Sequence, residues 1–138
     1  MAVPFLDTNV LLRHLLGDDP VQSPAATHVL ERVEKGELRV RTSDFVIMEC
    51  VFTLQRTYRQ SRVAIQEALL PLIEMPGVIL PGKRHYRRVY ELYTGLTLPF
   101  ADAYHAVLMH RLRLSEIISF DADFDRVDGI RRLAPQRE

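Results

Sequence analysis

A short apolar segment that ends in a carboxylate constrains this chain most, because a helical pattern begins directly after it. Residues 2–6 predict a strand, Asp7 ends it, and Thr8 and Asn9 lead into a helix predicted over residues 10–16. Asp7 therefore falls at the carboxyl end of a strand, where open α/β sheets bind ligands. The alternative is that one of these polar residues only caps the helix, although a cap needs one such residue and three are present.

Further short apolar segments alternate with helical patterns along the rest of the chain. Strands are predicted at residues 37–41, 78–80, 116–119 and 130–133. This alternation predicts an α/β fold with a mostly parallel sheet. The chain of 138 residues is long enough for one core and contains no repeat or linker, so we expect a single domain over residues 1–138.

Composition argues against several classes of protein. The 18 basic and 18 acidic residues cancel, which argues against general, charge-driven binding of nucleic acid. No apolar segment approaches the roughly 18 residues of a membrane span, and there is no signal-peptide pattern, so we expect a cytoplasmic protein that does not enter a membrane. The single cysteine, Cys50, lies in an apolar stretch and predicts a buried thiol rather than a nucleophile.

Four carboxylates occupy similar places in the predicted topology. Asp7 and Asp121 each follow a strand. Glu49 and Asp102 each lie in a helix among apolar residues, with no lysine or arginine within one helical turn. Because burying an unpaired charge is costly, either each acid faces solvent at the rim of the fold or the acids converge and share a cation. Oxygen ligands favour Mg²⁺ or Mn²⁺, and such ions serve phosphodiester hydrolysis.

These acids and their neighbours resemble the motifs of the PIN-domain ribonucleases, and more narrowly those of the VapC-type toxins of bacterial toxin–antitoxin pairs. The matching segments are FLDTNVLLR at residues 5–13 with DDP at 18–20, Glu49, DAYHA at 102–106 and SFDADF at 119–124. The resemblance covers essentially the whole chain. Pro4 in the first strand and the crowded acidic turn after residue 119 depart from the family pattern.

The resemblance implies a fold, an activity and partners. The fold would be a three-layer α/β/α domain with a short, mostly parallel central sheet. The activity would be that of a Mg²⁺- or Mn²⁺-dependent endoribonuclease, in which a metal-activated water attacks the RNA phosphodiester bond. The protein would be a homodimer that is inhibited by a cognate VapB-like antitoxin.

The resemblance also implies roles for individual residues. The metal ligands would be the four acids named above and a fifth acid in the last motif: Asp7, Glu49, Asp102, Asp121 and Asp123. Hydrogen-bonding side chains next to them would orient carboxylates or metal-bound water: Thr8, Asn9 and Ser119.

Arginines supply candidate contacts to RNA. Arg84, Arg87 and Arg88 fall on one predicted helical face, and the interleaved aromatic residues are Tyr86, Tyr90 and Tyr93. Phosphate contacts and base stacking would use such a surface; the alternative is a solvated face over an aromatic core. Arg13 is close in sequence to Asp7, which predicts a contact to substrate phosphate or to the antitoxin.

Three other functions are alternatives to the nuclease. A haloacid-dehalogenase-type phosphatase also has an aspartate after its first strand, but it requires a second aspartate where Asn9 stands and a threonine where Leu11 stands. A response-regulator receiver requires a lysine after a late strand, and the only lysines are Lys35 and Lys83. A module that binds RNA or protein without catalysis would not need all four acids.

Overall fold

The computed structural model describes residues 2–137, which form two compact units, one up to Arg84 and one from His85 onward. The helices are α1 (Thr8–Leu16), α2 (Gln22–Glu34), α3 (Asp44–Arg56), α4 (Arg62–Glu74), α5 (Tyr86–Gly95) and α6 (Phe100–Arg111). The strands are β1 (Val40–Arg41), β2 (Val78–Ile79), β3 (Glu116–Ile118) and β4 (Arg131–Leu133). Helices alternate with short strands, and both strand pairs are parallel, so the predicted α/β class is confirmed.

Local capping determines where the helices of the first unit begin. Asp7 caps α1, Ser43 caps α3 and Ser61 caps α4, each with a side-chain oxygen that accepts a backbone N–H of the first turn. Gly17 ends α1 in the left-handed conformation, at φ 62°. These caps place Thr8 in the first turn of α1, which is the position from which it contacts α3.

The core of the first unit lies between the helices and one strand pair. β1 pairs with β2 so that Val40 is opposite Val78. α3 and α4 contribute the largest fully buried aliphatic side chains of this unit, among them Ile47, Leu54, Ile65, Leu69 and Ile73. Because α3 buries this face, its opposite face is left to solvent.

The second unit is built around an aromatic core. α5 and α6 pack together through neighbouring rings, with centroids 5.2–6.5 Å apart: Tyr86, Tyr90, Tyr93, Phe100 and Tyr104. β3 pairs with β4 in parallel, with Ile117 opposite Arg132. A 3₁₀ helix, Ala122–Arg126, follows β3 and contacts both α6 and β4, which brings the acidic turn to the start of α6.

Three predicted elements differ from the structure, and the first is the strand predicted at residues 37–41, of which only β1 (Val40–Arg41) forms. The predicted strand at residues 2–6 is reduced to a single bridge between Phe5 and Arg41; Pro4, which has no N–H, accepts from Arg41 but cannot donate to a ladder. The helix predicted from the Pro81–Gly82 turn to about Tyr93 begins as a 3₁₀ turn, Lys83–His85, and becomes α-helical only at Tyr86.

None of the helices within residues 2–137 is long and apolar enough to cross a membrane. The prediction that residues 1–138 form a single domain stays a prediction.

Candidate metal centre

Three carboxylates of the second unit meet at the start of α6. Asp102 lies in the first turn of α6, and Asp121 and Asp123 lie at the 3₁₀ helix that contacts it. One oxygen of each carboxylate lies within 4.8 Å of the others. The sequence placed these acids in separate motifs, and the contact between α6 and the 3₁₀ helix brings them together.

The electrostatics of this cluster favour one shared proton or one shared cation. Burial, followed by the nearby carboxyl groups of Asp121 and Asp123, raises the pKa of Asp102 to about 6. The backbone N–H of Asp123 and then the carboxyl of Asp102 lower the pKa of Asp121. When all three acids are ionised they repel one another, and only a positive charge between them removes that repulsion.

The donor set fits a hard divalent cation. The Oδ2 atom of Asp102 is buried, and no hydrogen-bond donor within residues 2–137 reaches it. Asp121 approaches Asp102 closely enough for a hydrogen bond, but that bond forms only when one of the two carboxyls carries a proton. A buried acceptor without a donor is unfavourable, whereas a ring of carboxylate oxygens is what Mg²⁺ or Mn²⁺ prefers.

Neighbouring residues hold the acidic turn in place. Ser119 Oγ accepts the backbone N–H of Asp121 at 2.9 Å, and Asp121 Oδ1 accepts that of Asp123 at 2.9 Å. Arg126 donates to Asp123 Oδ1 at 2.9 Å. The Ser119 hydroxyl thus accepts from the backbone of the turn, and its own proton stays available; the expectation that it orients a carboxylate or metal-bound water stays a prediction.

Two arginines pair with acids of this turn, and the sequence analysis predicts a role for neither. Arg126 pairs with Asp123 at the i, i+3 spacing, which is a helical signal in a segment that was interpreted as a turn. Arg132 forms a two-pronged pair with Asp125, at 3.0 and 3.2 Å. Asp125 therefore has a cationic partner of its own. Asp102 differs, because no donor among the described residues reaches its Oδ2.

Thr8 connects the two acids of the first unit. Its backbone N–H donates to Asp7 Oδ1 at 2.8 Å, and its hydroxyl donates to Glu49 Oε1 at 3.0 Å across the contact between α1 and α3. Thr8 itself is 9% exposed. A single buried residue therefore orients both carboxylates. Asp7 is also the N-cap of α1, and this capping role is compatible with a role in a metal site.

Glu49 is exposed to solvent, although its neighbours in the sequence are apolar. Its side chain is exposed, while Cys50 and Val51 beside it are buried. The helical rotation of about 100° per residue turns Glu49 to the solvent face of α3. Cys50 is fully buried, and burial together with the charges of Glu49 and Asp7 raises its pKa to about 12, as expected for a structural thiol.

Asn9 and Arg13 border an open groove of about 320 Å³ between α1 and α2, which Val10, Ala26 and Val29 also line. Asn9 is exposed. Arg13 donates to the Gln22 side chain at 2.9 Å and lies 3.5 Å from Asp18. Arg13 is thus held along α2, with about two fifths of its side chain exposed (39%).

The basic segment before and within α5 exposes its arginines to solvent but not its tyrosines. Arg84, Arg87 and Arg88 are exposed, and Arg88 pairs with Glu91 at 3.0 Å. The interleaved tyrosines of α5 are fully buried in the aromatic core. The prediction that bases stack on those tyrosines is therefore wrong. The alternative, a solvated face over an aromatic core, agrees with their burial.

Comparison with known proteins places these motifs in a family. Residues 5–130 match the family model of the PIN domain. The chain is 26% identical over 133 residues to a protein named VapC ribonuclease of Aquifex aeolicus, with 96% of this chain and 97% of the relative covered. It is 31% identical over 133 residues to Ribonuclease VapC13 of Mycobacterium tuberculosis and to VapC ribonuclease Mb1869c of Mycobacterium bovis, with 94% of this chain and 98% of each relative covered.

Proposed function

Because the chain belongs to the PIN domain family and, within it, to the VapC type, we propose that it is an endoribonuclease that hydrolyses RNA with Mg²⁺ or Mn²⁺. The observation that carries the proposal is the buried Oδ2 of Asp102, which no donor within residues 2–137 reaches, beside Asp121 and Asp123. When Asp102 is ionised, such an oxygen lowers stability, and a bound cation would remove that cost. The names of the relatives support RNA as the substrate.

Asp102, Asp121 and Asp123 would hold the cation through carboxylate oxygens. A divalent cation, when bound, lowers the pKa of water and offsets negative charge that develops on a phosphodiester. The N–H of Asp123 orients the Asp121 carboxylate by a hydrogen bond to Oδ1. Ser119 Oγ accepts the N–H of Asp121 and so fixes the backbone of the turn. Arg126 directs Asp123 and leaves its second oxygen to other partners.

Asp7 and Glu49 are proposed to complete the catalytic set, so that four carboxylates, Asp7, Glu49, Asp102 and Asp121, act in one reaction. Thr8 orients both acids of the first unit by two different donors. Asn9, exposed beside Asp7 in sequence, is proposed to orient water or substrate. Arg13, Arg84, Arg87 and Arg88 are proposed as phosphate contacts, since each carries a side chain that reaches solvent.

The proposal extends to partners and location. We propose that the protein is the toxin of a type II toxin–antitoxin pair, is inhibited by a VapB-like antitoxin, acts as a homodimer of single-domain chains and is cytoplasmic. These statements are supported by the VapC type of its relatives. Co-expression with a candidate VapB-like antitoxin, followed by size-exclusion chromatography with light scattering, tests the partner and the dimer together.

Cleavage of a panel of transfer, ribosomal and messenger RNAs tests the activity. Antitoxin-free protein is incubated with Mg²⁺, with Mn²⁺ and with chelator, beside Asp102→Asn, Asp7→Asn and the control Asp128→Asn. Asp128 is exposed and lies outside the cluster, so its variant should cut normally. We expect metal-dependent cutting that the first two variants lack. Equal cutting by Asp102→Asn and the native protein would refute the proposal.

A further inference from the structure

Arg132 on β4 holds both ends of the acidic turn that follows β3. Its Nε and Nη2 atoms donate to the two carboxylate oxygens of Asp125 at 3.0 and 3.2 Å, and its Nη1 donates to the backbone oxygen of Ser119 at 3.3 Å. Asp121 and Asp123 lie between these two points in the chain. One side chain therefore closes the segment that carries two of the carboxylates proposed to hold the cation.

The parallel pairing of β3 with β4 fixes the backbone on either side of this contact. Ile117 is opposite Arg132 in the register, and the N–H of Ser119 donates to the backbone oxygen of Leu133 at 3.2 Å. The turn therefore leaves β3 directly beside Arg132. The Arg132 side chain is only 20% exposed, and a two-pronged guanidinium–carboxylate pair forms in one relative orientation, so its geometry is well defined.

The neighbouring Arg131 forms a different kind of pair. Its Nη2 atom lies 3.1 Å from Glu116, and the two side chains are 75% and 52% exposed. Glu116 is the first residue of β3, whereas the acidic turn follows the last residue of that strand. An exposed ion pair of this kind contributes little to stability, so Arg131 provides a matched control for Arg132.

Arg132 adds a restraint that the internal hydrogen bonds of the turn do not provide. Ser119 Oγ and Asp121 Oδ1 accept backbone N–H groups from within the turn, so they shape it without joining it to another element. Carboxylates that gather around one cation repel one another before it binds. If the turn yields to that repulsion, the cation must order it on binding, which lowers the affinity. A turn that is held from β4 avoids this loss.

We propose that Arg132 is a positioning residue of the metal centre. By holding Ser119 and Asp125, it keeps Asp121 and Asp123 close to Asp102, so that the cation meets carboxylates that are already in place. The inference rests on the proposed nuclease function and adds to it a residue outside the set of proposed ligands. The alternative is an ion pair that stabilises the turn and has no effect on the cation.

Titration with Mn²⁺ tests this role, with the free ion followed by electron paramagnetic resonance. Arg132→Lys keeps the positive charge but loses the two-pronged geometry, so it should weaken Mn²⁺ binding by about tenfold or more. Arg131→Lys makes the same change at the neighbouring position, outside the turn, and should bind within about twofold of the native protein. Competition by Mg²⁺ against bound Mn²⁺ should rank the variants in the same order.

A double-mutant cycle tests whether Arg132 acts through Asp125. Asp125→Asn should also weaken Mn²⁺ binding, and the two changes together should cost less binding free energy than the sum of the two single changes. Asp128→Asn removes an exposed acid outside the cluster and controls for the lost negative charge. Additive costs would refute a shared action. Asp125→Asn alone provides the test if Arg132→Lys does not fold.

The outcomes distinguish this inference from the nuclease proposal. Excess cation should restore most of the native kcat to Arg132→Lys, because its carboxylates are all present and the site fills by mass action. If Arg132→Lys lowers Tm in circular dichroism melts but binds Mn²⁺ as the native protein does, Arg132 has only a structural role and the inference alone is refuted. If the native protein binds neither cation, the metal-dependent nuclease is refuted, and the inference that rests on it is refuted as well.

Discussion

Replacing Asp102 by asparagine should stabilise the metal-free protein while it abolishes any metal-dependent activity. The pKa of Asp102 is raised from 3.8 to about 6, and at about 1.4 kcal/mol per pKa unit the ionised group costs at most about 3 kcal/mol at pH 7. The side chain is only half-buried, so solvent screening reduces this to roughly 1–2 kcal/mol. The asparagine amide also provides a donor for the Asp121 carboxylate.

The sign of the pH dependence follows from the direction of the shift. Because the folded pKa of Asp102 lies above its unfolded value, the native state holds this proton more tightly, and the contribution of Asp102 to stability falls as pH rises from about 4 to 6. The cost is absent below the unfolded pKa and fully present at pH 7. The advantage of Asp102→Asn should therefore be largest at pH 7 and shrink toward pH 4.

Thermal melts followed by circular dichroism in chelator measure this effect. An increase of about 3–8 °C in Tm at pH 7 is expected for a chain of this size. Asp128→Asn, which removes an exposed aspartate outside the cluster, should leave Tm nearly unchanged. Added Mg²⁺ or Mn²⁺ should raise Tm for the native protein more than for Asp102→Asn. A gain that is equal at pH 4 and pH 7, or no gain at all, would refute the repulsion argument.

Three other predictions concern local structure. Asp7→Ala should lower the free energy of unfolding in urea by about 1 kcal/mol because α1 loses its cap, whereas Asp7→Asn should keep it. The Cys50 thiol, with its pKa raised to about 12 by burial, should resist a thiol reagent at pH 8 until urea unfolds the protein; rapid native labelling would contradict this. Gly77→Ala places a Cβ 2.8 Å from Val33 and should cost about 1–3 kcal/mol in the same urea titration, while Gly95→Ala, with open space around it, should cost nothing.

Local signals account for the elements that the sequence predicted well. Ser43 caps α3 and Ser61 caps α4, and serine is among the residue types that favour this position at a helix start. The parallel pairing of β3 with β4 agrees with the expected last strand near residue 130. At residues 2–6 the predicted strand is reduced to one bridge, because Pro4 cannot donate to a ladder and because its partner, Arg41, lies far along the chain.

The sequence by itself determined which acids the chain offers and supplied the caps of α1, α3 and α4, because a cap acts over a few neighbouring residues. Tertiary structure decided what surrounds each acid. It exposed Glu49 and paired it with the hydroxyl of Thr8, 41 residues away. It also buried Asp102 Oδ2 beside Asp121, where no donor from residues 2–137 reaches it. Burial and hydrogen bonding are set by which elements pack against each other, and that packing joins residues distant in the chain.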